Sequence, residues 1–151
     1  YPVAMQYLRD ADRAGREGRE LRTFGGRLIP MWDAIPDPDA PVDERSASAA
    51  IASRGRYARN ATVQGAAAEL FKAWAATVRA RLAGDPDLST SRIVLCLHDE
   101  LLVHTPSVVS DRVASLVHAC LDEASGRWFR GTGVRFVADV SIVDSWADAK
   151  A

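Results

Sequence analysis

The segment from Arg92 to His104 places three chemically active side chains, His98, Asp99 and Glu100, between two apolar stretches. Burying a charged side chain among apolar residues is unfavourable unless something compensates the charge. Adjacent carboxylates add mutual repulsion to that penalty. A divalent cation would relieve both effects, and Mg²⁺ is commonly held through only one or two carboxylates. The pattern therefore favours a hairpin whose acidic tip, Asp99 and Glu100, binds a metal ion.

Other interpretations of this segment stay open at this point. Neighbouring side chains on a strand point to opposite faces, so Asp99 and Glu100 reach one metal only where a turn interrupts the strand. A hairpin tip that is simply solvated, with no function, fits the same pattern. A zinc site using His98 and His104 fits less well, because the two residues lie roughly 20 Å apart on an extended strand.

A second set of polar residues recurs upstream at helical spacing. Arg56 and Asn60 are four residues apart and share one face of a helix, and Gln64 follows within a stretch that predicts a helix break. All three side chains can donate hydrogen bonds to base or sugar edges. They have the chemistry of a nucleic-acid reading face, although a solvated helix face often carries such residues too.

Composition narrows the class of protein. The chain has 151 residues, 48% of them hydrophobic, and a net charge of −1, so any nucleic-acid contact must come from a local face. No apolar run approaches membrane-spanning length and no signal peptide is visible, so we expect no membrane partner and a cytoplasmic location. Cys96 and Cys120 lack zinc-site spacing and are predicted to be free, buried thiols. The start at Tyr1-Pro2, directly before a helical pattern, suggests a piece of a longer polypeptide.

The elements that must position these residues form one predicted α+β domain over residues 1–151. It consists of a small antiparallel sheet with helices packed on one face. A proline-rich surface loop is predicted over residues 31–41. The periodicity predicts helices over 3–16, from about 43 to 60, over 66–82 and over 109–128, hairpins over 21–30 and 92–104, and a half-buried strand over 134–143.

The two polar sets together resemble a known family. The run from Arg56 to Glu69, followed by Leu97 to Leu101, resembles the C-terminal palm region of family A DNA polymerases. That family carries an Arg-x-x-x-Asn-x-x-x-Gln-Gly-x-Ala-Ala-Asp/Glu segment ahead of a hydrophobic-His-Asp-Glu hairpin. Further resemblances occur in the family's order over essentially the whole chain: Tyr1-Pro2, Thr23 to Pro30, and Ser145 to Lys150. The composition, with His104-Thr105-Pro106 after the hairpin, resembles the actinobacterial exonuclease/polymerase branch.

The resemblance implies part of a polymerase palm, plus the end of the fingers. Asp99 matches the carboxylate that ligates the catalytic Mg²⁺ ions, and Glu100 matches its acidic neighbour at the metal site. His98 matches a residue near the primer terminus. The implied reaction is the transfer of deoxynucleotides from deoxynucleoside triphosphates to a primer 3′ end by two-metal catalysis. Its implied setting is DNA replication or DNA repair in the bacterial nucleoid. The residues that match contacts to the minor groove of the primer–template DNA are Arg56, Asn60 and Gln64.

The second palm aspartate of the family does not occur in these residues, and neither does the fingers helix that grips the triphosphate. The resemblance therefore implies that the remainder of the polymerase chain is a partner and that the 151 residues alone do not extend primers. The alternative is a non-catalytic DNA-binding or protein-interaction module derived from a polymerase.

Overall fold

The computed structural model describes residues 1–31 and 44–150. Two-stranded antiparallel sheets are formed by β1 with β2 and by β3 with β4, which, together with the helices, confirms the predicted α+β class. The predicted surface loop, apart from Met31, lies outside the described residues. The elements in chain order are α1 (Pro2–Arg16), β1 (Leu21–Arg22), β2 (Leu28–Ile29), α2 (Glu44–Ala83), β3 (Arg92–Leu97), β4 (Glu100–His104) and α3 (Ser110–Trp128), with 3-10 turns at Pro86–Leu88, Ser107–Val109 and Trp146–Lys150.

The chain divides into two compact units, Tyr1–Ala67 and Ala68–Ala151. Helix α2 contributes its first part to one unit and its last part to the other. The organisation as one domain stays a prediction. Among the described residues, no helix has the length and apolar character needed to cross a bilayer.

In the first unit, α1 begins with Pro2 in its first turn, where the missing N–H leaves no hydrogen bond unmade. The helix is followed by Gly18 at φ 67°, a left-handed conformation that glycine adopts without steric penalty. Both ends agree with the predicted helix. Its buried face consists of small residues, Ala11, Ala14 and Gly15, which allows other elements to approach its backbone closely.

The sequence over residues 62–65 predicts a break or a kink in α2, and no break occurs, because the helix runs without interruption from Glu44 to Ala83. The Thr62 hydroxyl donates a hydrogen bond of 2.9 Å to the Arg59 carbonyl, so this buried polar group is satisfied within the helix. A Cβ placed on Gly65 would lie 2.5 Å from Cγ2 of Thr23. Gly65 is therefore the position where the β1–β2 hairpin approaches the helix, and the close approach explains a residue that the sequence pattern alone interprets as a helix breaker.

We expect Gly15→Ala to destabilise the protein although alanine is the better helix former. A Cβ at Gly15 would lie 2.4 Å from Cβ of Ala58 and 2.7 Å from the Arg54 carbonyl oxygen. Overpacking costs about 1–3 kcal/mol, which exceeds the gain of up to about 1 kcal/mol in helix propensity. Chemical denaturation should show a lower free energy of unfolding.

The matched control is Gly126→Ala in α3, where an added Cβ meets nothing within 4 Å. It should gain about 0.5–1 kcal/mol from propensity alone. If Gly15→Ala stabilised the protein as much as Gly126→Ala does, α1 would not approach α2 as closely as the structure shows.

In the second unit, α2 and α3 form the core. Trp74 lies at its centre, 7% exposed, and its indole N–H donates a 2.9 Å hydrogen bond to the Val117 carbonyl. The β3–β4 hairpin covers this core with one of its faces, which agrees with the prediction of helices packed on one face of a sheet. The buried residues are Leu70, Trp74, Val78, Leu82, Leu88, Val113, Val117, Cys120, Leu121 and Ala124, against which Ile93, Leu101 and Val103 of the hairpin pack.

Ion pairs join the surface elements of this unit. Arg112 contacts both Asp85 and Asp87, and thereby connects α3 to the turn that follows α2. Arg81 contacts Glu123 at 2.7 Å, and the hydrogen bond lowers the pKa of that carboxyl below its ordinary value. A lowered folded-state pKa stabilises the fold above the unfolded-state pKa, and the effect disappears as the pH falls through the folded value. Exposed pairs of this kind contribute little at neutral pH.

The predicted strand over residues 134–143 is wrong, since no strand is assigned there. The alternating burial behind the prediction is nevertheless present: Phe136, Ala138 and Val140 are partly buried against the core, whereas Val137 is 71% exposed. Alternation reports that one side of an extended segment is buried. A strand also requires a neighbouring edge for hydrogen bonding, and no described strand pairs with this segment.

Candidate nucleic-acid and metal-binding residues

The hairpin predicted around the acidic pair is present, but its tip differs from the prediction. Leu97 pairs with Glu100, so the turn contains only His98 and Asp99. Glu100 is the first residue of β4 and does not lie in the turn, which corrects the expectation that both carboxylates occupy the tip. The two strands are antiparallel, and their register shifts between Ile93 and Leu95.

His98 adopts a left-handed backbone conformation, with φ at 53°, and no other non-glycine residue in the described ranges has a positive φ. Two-residue hairpin turns favour positive φ because its twist matches that of the strands, and glycine or asparagine usually occupies such positions. Histidine is tolerated there at an energetic cost of about 1–2 kcal/mol. The chain therefore accepts local strain at the residue that directly precedes Asp99.

The stability of variants at His98 should depend on how well the new residue tolerates a positive φ. We expect His98→Gly to raise the free energy of unfolding by up to about 1 kcal/mol, because glycine removes the strain. His98→Val should lower it by about 1–2 kcal/mol, because a β-branched side chain is the least compatible with this conformation. Denaturant titrations would measure both. His98→Asn, which adopts positive φ readily, serves as the near-neutral control, and equal stability of the Gly and Val variants would contradict this turn geometry.

His98, Asp99 and Glu100 are all exposed to solvent. The charge-burial penalty inferred from the apolar flanks is therefore not incurred in this chain. Asp99 has no ion-pair partner within residues 1–31 and 44–150. Its carboxylate is accessible to a ligand from outside the chain.

The oxygen donors of the hairpin fit Mg²⁺ only in part. Asp99 and Glu100 offer the oxygen ligands that this ion prefers, and Mg²⁺ is usually completed by water and substrate phosphates. The described residues contain no group of three or more His, Cys, Asp or Glu side chains able to hold a metal. The zinc alternative is not supported, because His104 pairs with Arg92 at the opposite end of the hairpin from His98.

The cysteines are both free, as predicted, but Cys96 is exposed and only Cys120 is buried. Cys96 lies on the exposed side of β3, so it is not buried although its segment is apolar. Burial raises the pKa of the Cys120 thiol, which keeps it protonated and unreactive.

The predicted reading face is exposed and lies on one continuous helix. Arg56, Asn60 and Gln64 are solvent-accessible on α2 at spacings of four residues, so their side chains share one side of the helix. The opposite side carries buried small residues, among them Ala58 and Gly65, which face the rest of the first unit. The packing of the unit therefore leaves the three hydrogen-bond donors directed outward. This face and the hairpin tip belong to different compact units.

The same face has features that the motif alone did not identify. Tyr57 and Val63 are 45% and 48% exposed beside the three donors. No acidic residue occurs between Glu44 and Glu69, a signal that is visible in the sequence. In α1, by contrast, Arg13 and Arg16 form ion pairs with Asp10 and Asp12. On this face of α2, by comparison, Arg56 and Arg59 form no ion pair with any described residue.

Comparison with known proteins is consistent with these features. The family model for DNA polymerase family A matches residues 1–148. The chain belongs to this family, whose members are DNA-binding nucleotidyltransferases of DNA replication, and the resemblance inferred from its motifs is confirmed. The match includes both the reading face and the hairpin.

Among solved structures, the chain is similar to the POL domain of Pol1 from M. smegmatis in complex with DNA primer-template and dNTP. The identity is 31% and the TM-score is 0.56. The alignment covers 80% of this chain and 19% of that chain, so the protein spans about a fifth of that polymerase domain's length. No curated protein sequence matches the chain.

Proposed function

We propose that this chain supplies the C-terminal palm segment of a DNA-directed DNA polymerase in the bacterial cytoplasm, where the enzyme acts on nucleoid DNA. The observation that carries the proposal is an exposed His98-Asp99 turn, followed by Glu100, in a chain that matches the family over residues 1–148. The proposed substrates are primer–template DNA and deoxynucleoside triphosphates, which the similar M. smegmatis domain holds in its complex.

Asp99 and Glu100 are the residues that would hold Mg²⁺ together with ligands from the rest of the polymerase and from the substrate. When bound, the metal ions activate the primer 3′ hydroxyl and neutralise charge on the attacking and leaving oxygens. The contribution of the hairpin is positional. The two-residue turn leaves the Asp99 side chain exposed to solvent, and packing of Ile93, Leu101 and Val103 against the core holds the arms in place.

Arg56, Asn60 and Gln64 are proposed to contact the minor groove of the primer–template duplex. Minor-groove acceptors are nearly the same for every base pair. Side chains that donate hydrogen bonds to them can therefore check Watson–Crick shape without selecting a sequence, as a polymerase requires. The exposed, outward position of these donors on α2 supports this role.

The proposal is tested by comparing two proteins in primer extension: the 151-residue chain and the complete product of the gene that encodes it. We expect templated, Mg²⁺-dependent extension by the complete product and none by the chain alone, because the chain contains only one of the family's two palm aspartates. Extension by the chain alone would contradict the partial site. A complete product that binds duplex DNA without extending primers would favour the non-catalytic DNA-binding module.

A further inference from the structure

We infer that the reading face of α2 is flanked by a phosphate-binding stripe in which Arg45 and Arg59 contact the backbone of duplex DNA. Neither arginine belongs to the motif that identifies the reading face. The inference rests on the proposed function, because its ligand is the same duplex. It adds two contacts of a different chemical kind, charge pairing with phosphates, to the hydrogen bonds of the three donors.

The continuity of α2 aligns these residues. Arg45 precedes Arg56 by eleven residues, which is about three helical turns, so both lie on the same side of the helix. Arg59 follows Arg56 by three residues and is its neighbour on the helix surface. Ala49 and Ser53 lie between Arg45 and Arg56 on this side, and both are small and exposed. They leave room for a phosphate backbone to pass close to the helix.

The length of the stripe fits several base pairs. From Arg45 to Gln64, α2 extends for about 28 Å at 1.5 Å per residue. If α2 lies along the duplex axis, the axial rise of about 3.4 Å per base pair makes this length equal to about eight base pairs. The stripe is therefore long enough to follow a duplex beyond the few base pairs that the three donors reach.

The charge of the stripe selects a polyanion. Arg45, Arg56 and Arg59 are exposed, and within the described part of the chain none of them forms an ion pair. The sequence from 45 to 68 contains no acidic residue, and the nearest acidic residues along the chain are Glu44 and Glu69. A protein with a net charge of −1 thus carries a local positive surface. Such a surface, continuous with donors suited to the minor groove, is complementary to duplex DNA.

The test is the salt dependence of DNA binding by the 151-residue chain, measured by fluorescence anisotropy with a labelled duplex of arbitrary sequence. Each phosphate contact contributes about 0.9 to the slope of log affinity against log salt. The double variant Arg45→Gln with Arg59→Gln should therefore reduce the slope by about 1.8 and weaken binding equally for unrelated sequences. For a DNA probe with a stem shorter than about eight base pairs, the slope should first lose the contribution of Arg45.

The matched control removes the same charge from α1 of the same unit, through Arg9→Gln with Arg13→Gln, and should leave the slope unchanged. An equal loss of slope in this control would overturn the inference, because net charge alone would then account for binding. An unchanged slope in the α2 double variant would overturn the inference as well. Gln64→Ala should weaken binding without changing the slope, because this residue donates hydrogen bonds and carries no charge. Absence of any binding by the chain would refute the stripe, and primer extension by the complete gene product would then decide separately on the polymerase proposal.

Discussion

Asp99→Asn in the complete polymerase is expected to reduce the rate of primer extension by about a thousand-fold or more, while the affinity for duplex DNA stays nearly unchanged. The substitution preserves the shape of the side chain and removes the negative charge that would hold Mg²⁺. Metal ions stabilise the charge of a phosphoryl-transfer transition state by several kcal/mol, and about 4 kcal/mol corresponds to a thousand-fold in rate. Single-turnover extension and duplex binding, measured on the same preparation, separate the two effects.

The control for this result is Asp122→Asn, the same chemical change on the exposed surface of α3 in the same unit. It should extend primers at the unmodified rate. Because the Asp99 side chain is exposed and lacks an ion-pair partner in the described residues, its substitution should not lower the stability of the hairpin. Retained extension by Asp99→Asn would refute the role proposed for this carboxylate, irrespective of the family to which the chain belongs.

Trp74→Ala is expected to lower the free energy of unfolding by about 3–5 kcal/mol. The side chain is 7% exposed, packs edge to face against Phe71 with ring centroids 6.0 Å apart, and donates to the Val117 carbonyl. Its removal leaves a large cavity and removes the hydrogen bond that the indole adds to the Val117 carbonyl. A loss of this size is a large fraction of the 5–15 kcal/mol that stabilises a typical domain, so extension should fail through unfolding of the core beneath the hairpin.

Two variants distinguish the parts of this effect. Trp128→Ala removes the same side chain from a position that is 41% exposed at the end of α3, and should cost much less. Trp74→Phe keeps most of the apolar contact and loses the hydrogen bond, so we expect a loss of about 0.5–1.5 kcal/mol from that bond. If Trp74→Ala were no more harmful than Trp128→Ala in chemical denaturation, the assignment of Trp74 to the core would be wrong.

The sequence predicted the hairpin at Asp99 because the apolar arms, the polar interruption and strand alternation are local properties. The same locality explains its errors. The pattern around Gly65 predicts a helix break or kink, since sequence does not show that the Thr23 methyl group lies against this glycine. The pattern over residues 134–143 predicts a strand, since one-sided burial is visible in a sequence and the presence of a neighbouring strand is not. The apolar run predicts a buried Cys96, since it does not reveal which of its faces meets the core.

By itself, the sequence determined the family, the helical spacing of Arg56, Asn60 and Gln64, and the adjacency of Asp99 to Glu100, because motifs and periodicity depend on residue order alone. Only the tertiary structure decided which side chains reach solvent. Small residues on one side of α2 admit α1 and the first hairpin, so the reading face is left on the outside. The pairing of Leu97 with Glu100 confines the turn to two residues and leaves Asp99 alone with His98 at the tip. Burial and strand register depend on contacts between residues distant in the chain, and these are established only when the chain folds.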